Sequence, residues 1–115
     1  MNLESLTAQD IREIEAMTAR FERAQDIFVA KTLRLIDVLE GTEGTTIDVL
    51  NRSEKRGIIE SASAFRMMRV LRNTIAHEYA GHGPEDVAKD VLAFVPELLD
   101  AFKRAREYAR RPEFQ

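Results

Sequence analysis

A chain of 115 residues has room for one domain built around one modest core. Its 44% apolar and 32% charged residues exclude a disordered polymer, and the absence of cysteine excludes disulfides and thiolate metal sites. A net charge of −3, from 17 Lys and Arg against 20 Asp and Glu, argues against a non-specific nucleic-acid coat protein. Any nucleic-acid site must therefore be local. No apolar run approaches the ~18 residues of a membrane span. Met1 to Asp10 carry neither a basic start nor an apolar run, so no secretory signal is expected and the cytoplasm is the expected location.

Glycine and proline punctuate the chain in three places, at Gly41 and Gly44, at Gly57, and at Gly81, Gly83 and Pro84. Helical periodicity fills the segments between them. The first helix is predicted over about Ala8 to Leu39, with Thr7 as N-cap and Asp10 closing an acidic capping box. Ile14, Phe21, Phe28 and Leu35 recur every seventh residue, with Met17, Ala24 and Val38 at the companion position and Lys31 as a polar interruption. Such a stripe requires a partner helix along its length. Gly41 supplies the left-handed residue that ends it.

A short second helix is predicted over about Thr46 to Arg56, capped by Thr45 or Thr46, with Ile47, Leu50, Ile58 and Ile59 as anchors. The third runs from Ser61 or Ser63 to Tyr79. The fourth starts at Pro84, followed by Glu85 and Asp86 at the positive end of its dipole, and continues to about Arg110. Val91, Val95, Leu98 and Phe102 form its apolar face, with Val87, Leu92 and Leu99 beside it, and Pro96 should kink it. The expected fold is one all-α domain over residues 1–115, an antiparallel four-helix bundle of two long helices, one medium and one short.

The third helix carries the chemistry. With Arg66 at zero, Met67, Leu71, Ala64, Ile75 and Met68 occupy an arc from roughly 100° to 200°, the expected core face. Tyr79, Arg72, Arg69, Asn73, Arg66 and His77 share the opposite arc, with only Ala76 and Ala80 between them and Phe65 at its edge. No acidic residue falls in that arc. An acidic chain thus gathers three arginines beside its best acid–base candidate. Histidine exchanges protons near neutral pH, and the arginine fork matches phosphate. Together they suit metal-independent cleavage of an RNA phosphodiester. One histidine supplies half of an acid–base pair, and a symmetric dimer would supply the other.

The run Arg72-Asn73-Thr74-Ile75-Ala76-His77-Glu78-Tyr79 resembles the Arg-x-x-x-x-His motif of HEPN domains. With its tyrosine it is similar to the HepT-type toxin branch. The resemblance implies a helical bundle that dimerises with its motifs facing a shared cleft. It implies a metal-independent endoribonuclease with Arg72 and His77 essential and Asn73 supporting. It further implies a nucleotidyltransferase antitoxin of the MntA type that AMPylates Tyr79, silencing the toxin of a toxin–antitoxin pair. A related branch serves as nucleotidyltransferase substrate-binding proteins, so a non-catalytic interaction partner is the alternative. Arg66 and Arg69 are candidate RNA phosphate contacts. No cofactor is implied.

A metal reading of His77 and His82 fails on spacing, because the second lies five positions on rather than four and Gly81 and Gly83 flank it. The C-terminal Lys103, Arg104, Arg106, Arg110 and Arg111 fit a solvated helix end better than a nucleic-acid contact.

Overall fold

The computed structural model describes residues 6–79 and 81–114. Ala80, which the helical wheel set beside the polar arc, and the first five residues of the predicted leaderless N-terminus lie outside them. The secondary structure of the described residues is all helical, with turns and loops between the helices and no strands. No helix among them is long and apolar enough to cross a membrane.

Helix α1 covers Ala8–Ile27 and opens on the predicted box: the Thr7 hydroxyl accepts from the Asp10 amide at 3.0 Å, and the Asp10 carboxylate accepts from the Thr7 amide at 3.0 Å. A π-helical segment, Phe28–Leu33, joins it to α2, Arg34–Leu39, without a break in the helical path. The wide π turn accommodates one residue more than an α turn. The apolar stripe therefore slips by one, so Ile36 is buried in the place Leu35 was expected to fill, and Leu35 and Val38 are exposed. In α1 the predicted companions Met17 and Ala24 are partly buried and pack against the core, while the most deeply buried line is Ile14, Thr18, Phe21, Gln25 and Phe28, so two polar residues lie further inside than the apolar companions expected there.

The same slip turns Asp37 inward. Its carboxylate accepts two bonds from Arg52 at 2.7 Å each and one from Arg56 at 2.8 Å. Both guanidiniums belong to α3, Thr46–Lys55, or its C-cap, so this junction pins α3 to α2. The Arg52 bond, above all, holds the Asp37 carboxyl well below the usual carboxylate range, against the opposing effect of burial. Thr45, one of the two predicted caps, closes a capping box with Asp48. Ile47 is exposed rather than an anchor; Val49, Leu50, Ile58 and Ile59 hold the inner positions.

Helix α4 covers Ala62–Ala76 and α5 covers Pro84–Ala109. The α5 helix continues through Pro96, which lies on its exposed side. Val87, Val91 and Leu98 are buried, whereas Leu92 and Leu99 face out. Phe28 is the hub of the core, 5.9 Å from the Phe65 ring and edge-on to Phe102 at 5.0 Å.

Pairings fix the directions. Thr18 meets Tyr79, Asp26 meets Arg72 and Phe28 meets Phe65, so α4 runs antiparallel to α1. Phe28 meets Phe102 and Glu40 accepts a hydrogen bond from Tyr108, so α5 runs in the same sense as α1. The helices are therefore not antiparallel throughout. With ten residues, α3 spans only about 15 Å and cannot serve as a full return leg.

Candidate functional site

Ser61 caps α4, its hydroxyl accepting from the Ala64 amide at 3.0 Å, and Glu54 of α3 accepts from the Ala62 amide at 2.8 Å. The helix then buries Ala62, Phe65, Met68, Leu71 and Ile75. That arc is displaced from the predicted one. Phe65 is fully buried rather than at the edge of a polar face, and Met67 is 60% exposed rather than in the core. The reason is tertiary: α1 and α5 both press on the Phe65 side, while nothing covers Met67 and Val70, the latter 67% exposed.

This rotation divides the polar arc. Arg69 and Arg72 are half-buried against α1, whereas Arg66, Asn73 and His77 are exposed. Arg66 points its guanidinium toward Asn51 of α3 at 3.5 Å. Arg69, Arg72 and Asn73 line one groove of about 190 Å³, closed on the other side by Gln25, Asp26 and Arg34. The Arg72 guanidinium donates to the Asn73 side-chain oxygen at 3.3 Å and lies 3.5 Å from the Asp26 carboxylate. The acid-free arc expected from α4 alone is thus met by an acid from α1. Asp26 is 54% exposed and its contact with Arg72 is long, so the pair is weak.

Two donors at this groove have no partner among the described residues: the Arg72 Nε and the Gln25 Nε2. Leaving a buried polar group unsatisfied costs about 1–3 kcal/mol. Gln25, only 1% exposed, Asp26 and Arg34 escaped the sequence reading, which treated the first helix as an apolar stripe. The available signal was the alternation of Thr18 and Gln25 with Ile14, Phe21 and Phe28, at spacings of four and three.

The helix ends three residues before the predicted Tyr79. His77 is the C-cap, its amide donating to the Asn73 carbonyl at 3.0 Å. The Tyr79 amide then reaches back to the Thr74 carbonyl at 2.7 Å and the Glu78 amide to the Ile75 carbonyl at 3.1 Å, a Schellman closure. Glu78 has φ 53° and Tyr79 φ 72°, so two side-chain-bearing residues sit in the left-handed region where glycine is usual. Gly81, the visible stop signal, lies beyond the true end.

Tyr79 is therefore not on the helical face of Arg72. It turns back to α1, where its hydroxyl hydrogen-bonds the Thr18 hydroxyl at 3.1 Å. It lines a separate groove of about 610 Å³ with Glu15, Glu22 and Glu78. His77 stands one helical turn beyond Asn73, exposed, and lines neither groove. His82 lies in the loop before α5, as expected, and lines a groove that Asp86 also lines. Among the described residues, no three His, Asp or Glu side chains converge as metal ligands.

The site thus has a cationic groove holding Arg72, Arg69 and Asn73, an exposed histidine one turn further on, and a tyrosine anchored round the corner. Comparison with family models, curated proteins and solved structures returned no match to this chain.

Proposed function

We propose that this chain is a HEPN-like endoribonuclease of the HepT type, which cleaves RNA without metal through Arg72, Asn73 and His77. The observation that carries the reading is the junction at the end of α4. Asn73 and His77 are exposed on successive turns, joined by a backbone hydrogen bond, and Asn73 accepts from the Arg72 guanidinium. In the reaction, a histidine takes the proton of a ribose 2′-hydroxyl and the freed oxygen attacks phosphorus. The bond from phosphorus to the 5′-oxygen breaks, and that oxygen takes a proton from a second acid. Arg72 holds the charge that builds on the phosphate oxygens.

The second acid comes from a second copy of the chain. Met67 and Val70 are uncovered apolar residues on the same outer face of α4 as Asn73 and His77. Pairing two such faces buries them and brings two His77 side chains toward one cleft. The HEPN-like bundle is then completed by the dimer, which works in the cytoplasm.

The toxin reading adds a nucleotidyltransferase antitoxin that AMPylates Tyr79. In the transfer the Tyr79 oxygen attacks the α-phosphorus of ATP, the phenol proton is lost and pyrophosphate leaves, which brings a negative phosphate among Glu15, Glu22 and Glu78. The modified side chain leaves Thr18, and the strained turn that seats His77 loses its anchor. Inhibition then acts by displacing His77 rather than by shielding Arg72.

The test is cleavage of RNA in EDTA by the native chain, Arg72→Ala and His77→Ala, each with its melting temperature. Cleavage that vanishes in both folded variants supports the site. Equal cleavage by either folded variant refutes it. The separation of the Tyr79 groove from Arg72 favours one further reading, a non-catalytic partner of the nucleotidyltransferase. It predicts a mass gain of one adenylyl group, lost in Tyr79→Phe, without any nuclease activity.

A further inference from the structure

The groove between α1 and α4 has the composition of an anion receptor. Its donors come from three elements: Gln25 from α1, Arg34 from α2, and Arg69 and Arg72 from α4. Three arginines face a single acid, Asp26. Arg34 is held by the loop that follows α2, donating to the Gly44 carbonyl at 3.0 Å, so its charge is fixed at one wall. The Gln25 amide is buried and its Nε2 donor is unpartnered, as is the Arg72 Nε. Both donors are closed to solvent as the groove stands, so an acceptor-only phosphate reaches them only when the long Asp26–Arg72 contact opens.

The wall opposite α4 is the start of the π-helical segment, where Val29 and Ala30 line the groove. Wide turns of this kind concentrate at functional sites.

We propose that this groove binds a phosphate group of an RNA strand, with Gln25 and Arg72 as hydrogen-bond donors, Arg69 and Arg34 as charge, and Asp26 as the displaceable occupant of the empty state. The inference rests on the ribonuclease reading only in naming RNA as the carrier of the phosphate. The scissile phosphate sits at Asn73 and His77 on the side where the Arg72 Nη1 meets Asn73, so the groove, reached by the Arg72 Nε and the nitrogen beside Asp26, takes a neighbouring phosphate of the same strand and sets the direction in which RNA lies along α4. Asp26, over half exposed and at 3.5 Å from Arg72, swings out when the phosphate enters.

The experiment measures binding of a short fluorescein-labelled 2′-O-methyl RNA to the full chain by anisotropy. That strand lacks the attacking hydroxyl, so binding is read apart from cleavage. Arg69→Gln and Gln25→Glu are each expected to weaken binding about tenfold, the loss of one charge-assisted contact. Asp26→Asn is expected to tighten it roughly fivefold by removing the competing carboxylate. Asp26 and Arg69 reach solvent, so their variants keep the test alive if Gln25→Glu fails to fold. Inorganic phosphate that displaces the strand marks an isolated phosphate as the recognised unit, and displacement by oligonucleotide alone marks the strand; both support the groove. Unchanged affinity in Arg69→Gln together with no gain in Asp26→Asn overturns it. His77→Ala separates the two claims. If it cleaves like the native chain while Arg69→Gln loses the strand, the ribonuclease centre is wrong and the phosphate groove stands. If it loses cleavage while the groove variants bind normally, the reverse holds.

Discussion

Glu78 occupies the position of a Schellman closure that glycine usually fills, with φ 53°. A left-handed conformation costs an L-residue about 1–2 kcal/mol, and Tyr79 beside it carries the same burden at φ 72°. Strain of this kind persists where the surroundings over-determine it, here through the Thr74 carbonyl and the Thr18 hydroxyl. Glu78→Gly should therefore raise stability by about 1 kcal/mol, seen as a higher melting temperature. If the strain seats His77, the same change should lower cleavage. A destabilised Glu78→Gly would mean that the turn is not strained. Tyr79→Phe should lose about 1 kcal/mol, the net value of its bond to Thr18, and become refractory to AMP transfer. These residues also show where the sequence was opaque. The run from Arg72 to Tyr79 is legible as a string, but a helix stop without glycine is not, so helical periodicity places Tyr79 on a face it does not share.

At the scale of elements, the π-helical segment decides what the long first helix does. The sequence displayed both ends of that helix, its capping box and the apolar heptad Ile14, Phe21 and Phe28, but not the buried Thr18 and Gln25 beside it. Beyond Phe28, strict α periodicity assigns Leu35 to the core, and only the wide turn explains Ile36 and Asp37 inside instead. No local residue pattern announces such a turn; the gain comes from contacts with α3, remote in sequence. Asp37 is the main beneficiary. Because its folded carboxyl titrates below the unfolded one, its stabilisation is present above about pH 4 and is lost as pH falls through the lower folded value. Asp37→Asn should cost about 3 kcal/mol at neutral pH, the lower end for breaking a buried pair, since both guanidiniums reach solvent. It should also flatten the acid limb of a stability–pH curve. Denaturant melts between pH 2 and 7 check both, and an unchanged acid limb would show that Asp37 is not the titrating group. The candidate site suffered the same limitation: α4 alone foretold Arg69, Arg72 and Asn73 as neighbours, while Gln25 and Asp26 join them only through the antiparallel contact with α1.

As a whole, the molecule is long and thin, 53 × 24 × 18 Å. Its accessible surface is 7251 Å², against roughly 6400 Å² for a compact monomer of its mass. The excess comes with uncovered apolar side chains such as Met67, Val70, Leu92 and Leu99. Such a surface fits a chain that acts with a second copy. Val70→Glu combined with Met67→Glu should leave the monomer folded, shift the mass measured by light scattering to that of one chain, and reduce cleavage most at low protein concentration. A double variant with the native mass and undiminished cleavage would count against pairing through this face of α4.

The central claim is that a histidine at the end of α4 deprotonates a ribose hydroxyl without metal. Product ends report it directly. RNA incubated with the chain in EDTA and analysed by mass spectrometry should carry 2′,3′-cyclic phosphates and new 5′-hydroxyls, and His77→Ala should yield neither. Fragments ending in 3′-hydroxyl and 5′-phosphate, or cyclic ends that persist undiminished in folded His77→Ala, would contradict the account.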